Sequence, residues 1–210
     1  MGPAMKATTR RVGRPSRHDI KQTPQDENAP LDRREIIVSA AATLFAEKGY
    51  DRTSIRDIGA AAGILSGSLY YYFSSKEEIF VEVHSAGMRR LIAAAQEAVS
   101  GEGDAWSCLE RLAAAHCRVL LEGTGFMIMV FPHFPEGIDP FRSELVRQRD
   151  EYERIFADVI ARLDLAHDLD RDIFRLQILG ALNWSQTWYH AGRGATPDEI
   201  GRHLVRMLRR

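Results

Sequence analysis

Two short helical stretches joined by a glycine, within residues 53–76, constrain the fold of this chain more than any other feature. Ser54 can cap the first stretch by accepting a backbone N–H, and apolar side chains recur along that stretch at helical spacing. Gly63 follows, and glycine readily ends a helix because it has no Cβ to clash in the left-handed conformation. The second stretch, residues 66–73, can bury Leu69 against the first. The sequence therefore predicts two short helices that pack across a tight turn.

The second stretch and its C-terminal flank are crowded with hydroxyl groups that the packing of two helices does not require. Phenolic hydroxyls and a lysine suit phosphate oxygens, and serine suits the edges of bases. A second helix with such groups is typical of a helix-turn-helix, which inserts this helix into the major groove of DNA. The alternative is an ordinary pair of helices with a solvated tyrosine cluster. The groups concerned are Ser66, Ser68, Tyr70, Tyr71, Tyr72 and Lys76.

The segment from Ala40 to Phe80 resembles the DNA-binding domain of TetR-family transcriptional regulators. Two signatures carry the resemblance: small-x-x-Leu-Phe-x-x-x-Gly-Tyr, matched by residues 41–50, and Gly-x-Leu-Tyr-x-x-Phe-x-x-Lys-Glu, matched by residues 67–77. This chain departs from many members of the family at Tyr72, where they have histidine. The resemblance implies that bases are approached by Ser66, Gly67, Ser68 and Tyr72. It also implies that phosphates are bound by Thr53, Ser54, Tyr70, Tyr71 and Lys76.

The first thirty residues differ from the rest because they contain few large apolar side chains and many Lys, Arg, Asp, Asn, Gln and Pro residues. Such a segment cannot bury enough apolar surface to fold, so we expect a disordered basic arm over residues 1–30. Within it, residues 10–15 resemble the Gly-Arg-Pro element of DNA-binding arms, which inserts an arginine such as Arg14 into a narrow minor groove. The alternative is a flexible tail that attracts DNA of any sequence.

The distribution of charge agrees with an N-terminal part that binds DNA. The chain has 28 Lys+Arg and 29 Asp+Glu among 210 residues, so its net charge is only −1. Residues 1–76 contain 12 basic and 8 acidic side chains, whereas residues 77–210 contain 16 and 21. A chain that is basic at its N-terminal end and acidic beyond is suited to docking that end on phosphates.

Beyond Lys76, helical periodicity continues with no alternating strand pattern and no internal repeat. We predict an all-α fold of about nine helices. A three-helix DNA-binding domain over residues 31–78 precedes a bundle for ligand binding and dimerisation over residues 79–210. The helices beyond the first three are predicted at residues 77–100, 104–122, 124–131, 140–163, 172–191 and 197–208.

A small residue and two large aromatic residues share one face of the helix predicted over residues 172–191. Gly180, Trp184 and Trp188 recur every four residues, which suits a close contact between two helices. A single short recognition helix reads too few bases for selectivity, so we expect this face to join two copies on a palindromic DNA site. The alternative is that these side chains belong to the core of one subunit.

Aromatic and methionine side chains of the bundle outnumber the polar groups near them, which is typical of an apolar small-molecule pocket. The alternative for each of them is an ordinary place in the core. His133, between two prolines, is expected either to orient a polar ligand group or to lie in a surface loop. The pocket candidates are Trp106, Phe126, Met127, Met129, Phe131, Phe134, Tyr152, Phe156 and Phe174.

Residues 62–70 and 188–192 resemble TetR-family repressors of fatty-acid and steroid catabolism. This resemblance implies an acyl-CoA thioester as effector and release of DNA when the effector binds. The alternatives are a repressor of an efflux gene that senses drugs or aromatic compounds, and an architectural DNA-binding protein without a ligand. Cations for the phosphates of an acyl-CoA are available in one predicted helix, although a solvated arginine face is the alternative: Arg142, Arg147, Arg149 and Arg154.

No set of residues in the sequence indicates catalysis or a metal site, so we predict neither an enzyme nor a bound cofactor. Cys108 and Cys117 are nine residues apart on one predicted helix and point in opposite directions. We expect both to be reduced and buried, with a redox sensor as the alternative. No apolar run reaches the length of a membrane span and no signal peptide is apparent, so the expected location is the cytoplasm.

Overall fold

A computed structural model describes residues 32–122 and 137–209 of the chain. Every regular element in these residues is helical, and the fold is all-α as predicted. Eight α-helices are present in the described residues, and the ninth predicted helix, at residues 124–131, lies outside them. The helices are α1 (Arg33–Lys48), α2 (Ile55–Ala61), α3 (Ser66–Leu69), α4 (Lys76–Ser100), α5 (Ala105–Glu122), α6 (Arg142–Ala161), α7 (Arg171–Trp184) and α8 (Pro197–Leu208).

Local capping explains where the first helices begin. Asp32 caps α1 by accepting the backbone N–H of Arg34, and Ser54 forms a reciprocal capping box with Asp57 at the start of α2. Gly63 has φ +67°, the left-handed conformation that its place in the turn was predicted to need. These contacts fix where α1 and α2 begin and where the turn before α3 lies.

The third helix is shorter than the sequence predicted. Regular α-helix ends at Leu69, and residues 70–72 continue as a hydrogen-bonded turn rather than as the helix expected through Phe73. The backbone N–H of Tyr72 donates to the Leu69 carbonyl at 2.9 Å, and that of Phe73 donates to the same carbonyl at 3.1 Å. The helical spacing of the buried side chains is therefore kept, although the helix itself is one turn long.

Two hydrophobic clusters organise the described residues, and we call them the N-terminal core and the C-terminal core. The N-terminal core contains Ile37, Ala41, Phe45, Tyr50, Ile58, Leu69, Phe73, Ile79, Phe80, Val83, Ile138 and Leu145. The C-terminal core contains Met88, Leu91, Ala95, Cys108, Leu109, Leu112, Ala113, Cys117, Tyr152, Phe156, Val159, Ile160, Leu163, Ile178, Leu179, Leu182 and Val205. Because α4 and the segment from Ile138 through α6 contribute to both, they tie the two cores together.

Helix α8 lies unusually close to α5. Gly201 is buried, and a Cβ at this position would overlap the backbone of Ala113 and Ala114. Ion pairs flank the contact, with Arg118 on α5 to Asp198 and Arg206 on α8 to Glu110. The absence of a side chain at Gly201 therefore decides how near the two helix axes can approach.

The prediction of a helix over residues 172–191 is wrong for its C-terminal part. Helix α7 ends at Trp184, a 3-10 turn covers Ser185–Thr187, and Trp188 follows outside any helix. The Ser185 hydroxyl donates to the Leu182 carbonyl at 2.6 Å, so the side chain satisfies a carbonyl at the end of the helix. Trp184 and Trp188, four residues apart, therefore do not lie on one face of a continuous helix.

Both cysteines lie inside the C-terminal core as free thiols. Burial raises the pKa of the Cys117 thiol to about 11, which keeps it protonated at neutral pH and unreactive. Among the described residues, no helix is both long enough and apolar enough to cross a membrane.

Candidate DNA-binding surface

Residues 65–72, which we call the recognition segment, present an unusual amount of large side chain to solvent. Tyr71 is 86% exposed, Leu65 81% and Tyr70 57%, and Gly67 and Ser68 are also exposed. Ser66 and Tyr72 are partly buried, and the Tyr72 ring meets the Tyr71 ring edge to face at 5.1 Å. The structure therefore leaves all six DNA-binding candidates between Ser66 and Tyr72 at least partly exposed, while Leu69 is buried as predicted.

The recognition segment is held from beneath by apolar side chains and by one arginine. Leu69 and Phe73 are fully buried in the N-terminal core. Arg34 on α1 donates to the Tyr72 carbonyl at 3.0 Å and to Glu82 on α4 at 3.2 Å. Its guanidinium also lies 4.2 Å from the centre of the Phe73 ring. Sequence reasoning missed Arg34, because nothing in its local pattern points to a partner 38 residues away.

The prediction for Thr53 is corrected by the structure. Its side chain is 1% exposed, and its hydroxyl donates to the carbonyls of Gly49 at 2.8 Å and Leu44 at 3.3 Å. The hydroxyl therefore closes the connection between α1 and α2 and is not presented to a phosphate. The neighbouring Ser54 is exposed, although its hydroxyl donates to the Asp57 carboxylate at 2.6 Å.

Lys76 occupies a more internal place than its predicted role suggested. Its ammonium donates to the Tyr50 carbonyl at 3.0 Å and lies 4.0 Å from the centre of the Tyr50 ring. The Tyr50 hydroxyl donates to Glu77 at 2.9 Å, and burial together with this carboxylate raises the pKa of Tyr50 above its ordinary value. Since an ammonium has three donors, the bond to Tyr50 leaves two for other acceptors.

Arg14 and the basic arm that contains it lie outside the described residues. Beside the recognition segment, the structure has a recess of about 350 Å³. Its walls come from the start of α1, the glycine turn and the recognition segment, namely Arg33, Gly63, Ile64, Leu65, Ser68 and Tyr72.

At the far end of the chain, the predicted dimer residues lie on an exposed apolar surface. Trp184 is 66% exposed, Trp188 52% and Met207 56%, and we call the surface around these three residues the tryptophan face. Gly180 is exposed and a Cβ there would meet no heavy atom within 4 Å. A groove of about 980 Å³ runs between α7 and α8, with Trp184 and Trp188 in its walls.

The predicted pocket residues lie elsewhere. Tyr152 and Phe156 are buried in the C-terminal core, and Trp106 and Phe174 are partly buried against it. None of these four lines the groove between α7 and α8. The other candidates, Phe126, Met127, Met129, Phe131 and Phe134, lie outside the described residues, as does His133.

One polar pair lies among these apolar side chains. The Tyr152 hydroxyl is 2.7 Å from Nδ1 of His116, and both side chains are almost completely buried. Burial lowers the pKa of His116 to about 4, so the imidazole is neutral at physiological pH. The pair gives the C-terminal core a hydrogen-bonding group in otherwise apolar surroundings.

The arginines of α6 are engaged with carboxylates on the surface. Arg142 pairs with Asp139 at 3.0 Å, Arg147 with Glu144 at 2.7 Å, and Arg149 with Asp150 at 3.5 Å. Arg154 is exposed on the same helix. For the three paired side chains the alternative stated above, a solvated arginine face, agrees with the structure.

Proteins of known sequence and structure resemble this chain over most of its length. HTH-type transcriptional repressor KstR2 of Mycolicibacterium smegmatis is 28% identical over 197 residues, which cover 88% of this chain and 93% of that protein. The structure of the ketosteroid transcriptional regulator KstR2 of Mycobacterium tuberculosis is 25% identical with a TM-score of 0.71, and the match covers 86% of this chain and 94% of that one. AibR in complex with isovaleryl coenzyme A and operator DNA is 18% identical with a TM-score of 0.72, over 84% of this chain and 97% of that one, and shows a shared fold alone.

Two family models together match most of the described residues. The model of bacterial regulatory proteins of the TetR family matches residues 37–83, which contain the recognition segment and the N-terminal part of α4. The model of a tetracyclin repressor-like C-terminal domain matches residues 102–210, which is more than half of the chain by itself. The exposed hydroxyl groups of the recognition segment thus lie where this family has its helix-turn-helix. The chain belongs to the TetR family and is a DNA-binding transcriptional regulator.

Proposed function

We propose that this regulator is a repressor that binds a palindromic operator as a homodimer and leaves the DNA when a small effector binds. The proposal divides the chain into a basic arm (1–30), a DNA-binding domain (31–78) and a domain for ligand binding and dimerisation (79–210). The observation that supports it most is the recognition segment. This segment exposes hydroxyl-bearing side chains to solvent, while its Leu69 and the adjacent Phe73 are buried in the N-terminal core. Cytoplasmic location and the lack of enzymatic activity belong to the same proposal.

The contacts with DNA divide by chemistry. Tyr70 and Tyr71 carry exposed hydroxyls suited to phosphate oxygens, and Lys76 keeps two donors for the same purpose. Ser54 would have to release the Asp57 carboxylate before its hydroxyl donates to a phosphate. At the start of the recognition segment, small side chains let the backbone come close to base edges, and they are followed by one aromatic hydroxyl: Ser66, Gly67, Ser68 and Tyr72. Arg14 of the arm would reach the adjacent minor groove.

The tryptophan face is the proposed contact between the two copies. Two tryptophans more than half exposed on one subunit present a large apolar area to water, and pairing with a second copy would remove it. Gly180 supports the proposal, because the space around it admits the close approach of a neighbouring helix. A twofold dimer then places two recognition segments on two half-sites of one operator.

The effector is proposed to be an acyl-CoA thioester. The relative that supports this class is named a ketosteroid regulator, and the C-terminal core offers large apolar side chains around the Tyr152–His116 pair. A drug or aromatic compound that releases a repressor from an efflux gene remains the second candidate. The three paired arginines of α6 would have to leave their carboxylates to bind the phosphates of coenzyme A.

Release of DNA is proposed to follow from a shift between two arrangements of the subunits. Helix α4 contributes Phe80 to the N-terminal core and Leu91 to the C-terminal core. A movement of α4 in the C-terminal core would therefore shift the N-terminal core as well. The segment around α6 does the same through Leu145 and Phe156. In one arrangement the two recognition segments match the spacing of the operator half-sites, and in the other they are spread apart. An effector that binds the second arrangement more tightly than the first lowers the affinity for operator, at most by the ratio of its two affinities.

Footprinting of the full chain on genomic DNA fragments tests the binding mode. We expect protection of a short palindrome, and loss of that protection when Tyr71 and Ser68 are both replaced by alanine. Arg154→Ala serves as the matched control, because it also removes an exposed side chain but lies on α6, outside the recognition segment. Uniform protection of all fragments would instead indicate an architectural DNA-binding protein.

A panel of thermal shifts tests the effector. The full chain is heated with acyl-CoA thioesters, with the corresponding free acids and with aromatic cations. We expect stabilisation by one or more thioesters, and the same compounds should dissociate the operator complex in a mobility-shift experiment. Stabilisation by aromatic cations alone would contradict the acyl-CoA proposal and favour the efflux-type repressor.

A further inference from the structure

Leu65 is a large apolar side chain that lies mostly in solvent. It is 81% exposed, more than any other leucine or isoleucine of the described residues. It occupies the N-cap position of α3, with φ −61° and ψ 135°, and it makes no side-chain capping hydrogen bond. Its carbonyl accepts the N–H of Ser68 at 2.8 Å and of Leu69 at 3.1 Å, so the backbone at this position is fixed.

A leucine here brings no stability to the free protein. Serine, threonine, aspartate and asparagine are preferred at N-cap positions because their oxygens accept a backbone N–H of the first turn, which leucine cannot do. The other helices that begin near this surface, α2 and α4, use Ser54 and Ser75 in that way. The exposed isobutyl group also remains in contact with water. Both features are explained if the partner of Leu65 is a molecule absent from the free protein.

The surroundings of Leu65 indicate what that partner is. Leu65, Ser68 and Tyr72 line the same recess of about 350 Å³, and Arg33 lines it as well. Hydroxyl groups and a guanidinium thus lie beside Leu65, and the other aliphatic side chain of the recess, Ile64, packs against the N-terminal core. A protein partner would need a broader apolar area, whereas a nucleotide combines polar edges and charge with few apolar groups.

Position along the helix points to the base rather than the backbone. In a helix-turn-helix, the N-terminal residues of the second helix contact base edges in the major groove. The only apolar group that a base edge offers there is the 5-methyl group of thymine. We propose that Leu65 determines operator specificity by packing its side chain on a thymine methyl in each half-site. The inference rests on the proposed binding of operator by the recognition segment.

The experiment uses the full chain and DNA that it selects itself from a randomised pool of duplexes. In the selected duplex, each thymine is replaced in turn by deoxyuracil, which removes the methyl group and keeps the base pair. Dissociation constants are measured for the wild type, Leu65→Ala, Leu65→Met and Leu65→Ser. Leu169→Ala is the matched control, because Leu169 is another leucine about half exposed and lies outside the recognition segment.

We expect one deoxyuracil position per half-site to weaken wild-type binding about fourfold, the factor for losing one buried methyl-sized group. At that position Leu65→Ala and Leu65→Ser should bind thymine and deoxyuracil equally, while Leu65→Met and Leu169→Ala keep the difference. Leu65→Ser should also melt no lower than the wild type, because serine restores the cap. This readout separates loss of a base contact from loss of structure.

Three results would overturn the inference. Wild-type affinity that is the same for every deoxyuracil duplex excludes a methyl contact. An equal loss in the wild type and in Leu65→Ala assigns the methyl contact to another residue. Failure of the full chain to enrich any duplex overturns the proposed function, and the role of Leu65 with it.

Discussion

The recognition segment and the tryptophan face both expose large side chains, yet their chemistry differs in kind. Tyr71, at 86% exposure, carries a hydroxyl, and serine hydroxyls lie close to it in the segment. Trp184 and Met207, at 66% and 56%, offer apolar area with at most one ring N–H. The first surface can exchange hydrogen bonds with water for hydrogen bonds with phosphates and bases, whereas the second gains only by being covered.

The two surfaces also differ in what holds them in place. The recognition segment has only one turn of regular helix and is supported by a hydrogen bond from the Arg34 side chain to the Tyr72 carbonyl. The tryptophan face lies on the end of α7, the turn after it and α8, and α8 is fixed by the close contact of Gly201 with α5. Exposure alone therefore does not define a partner. The hydrogen-bonding groups around an exposed ring, and the rigidity of its support, separate a DNA-binding surface from a protein-binding one.

Truncation of both tryptophans is expected to have the largest effect. Trp184→Ala with Trp188→Ala should weaken the dimer about a thousandfold, because central interface tryptophans contribute about 2 kcal/mol or more each. Sedimentation equilibrium measures the dimer, and operator affinity should fall with it. Tyr71→Ala is the control that should weaken operator binding while the dimer stays intact. A double variant that remains fully dimeric would show that the tryptophan face has another partner.

Gly201→Ala should disrupt the support of the tryptophan face. The added methyl group overlaps the backbone of Ala113, which cannot move aside as a side chain would. We expect a loss of about 3 kcal/mol in the free energy of unfolding, measured by urea denaturation. Gly67→Ala in α3 is the control, since its Cβ meets no atom within 4 Å and it lies outside the tryptophan face. Equal stability of Gly201→Ala and the wild type would refute the close α5–α8 contact.

Mild acid should destabilise the protein through two buried histidines. Burial lowers the pKa of His84 and of His116 from about 6.5 to about 4. Between these values the unfolded chain binds a proton at each site and the folded protein does not, so the free energy of unfolding falls as pH drops from 6.5 to 4. Each histidine contributes roughly 3 kcal/mol to this fall.

Denaturation at a series of pH values measures this loss. His116→Gln should flatten the pH dependence in that window relative to the wild type. The recognition segment contains no histidine, so the fluorescence of its exposed tyrosines should respond only when the whole fold opens. A variant with the same slope as the wild type would show that His116 does not carry the effect.

Two conservative substitutions near the helix-turn-helix should have small and opposite consequences. Thr53→Val removes the hydrogen bond to the Gly49 carbonyl and should lower the free energy of unfolding by about 1 kcal/mol without changing operator affinity. Tyr71→Phe should weaken operator binding about fivefold, the effect of one hydrogen bond, without changing stability. Chemical denaturation and fluorescence anisotropy separate the two quantities. A loss of affinity in folded Thr53→Val would restore Thr53 to the DNA contacts.

Local sequence determined the helix-turn-helix because its signals act over three or four residues. The Ser54–Asp57 capping box and the left-handed Gly63 follow from side-chain chemistry and from the lack of a Cβ. The ends of α3 and α7 were not predictable in the same way. Turns at residues 70–72 and Ser185–Thr187 replace helix at places where side chains donate to backbone carbonyls, Arg34 of α1 to Tyr72 and Ser185 to Leu182.

By itself, the sequence determined an all-α regulator with a hydroxyl-rich surface for DNA, because periodicity, caps and a glycine turn are local properties. Only the tertiary structure decided which of those hydroxyls reach solvent. Thr53 is buried, with its hydroxyl within hydrogen-bonding distance of the Gly49 and Leu44 carbonyls, and Lys76 lies against Tyr50 because the fold brings residues 26 apart together. It also decided that Leu65 is exposed and that Gly201 touches α5. Exposure and close approach depend on neighbours distant in the chain, and no local pattern encodes them.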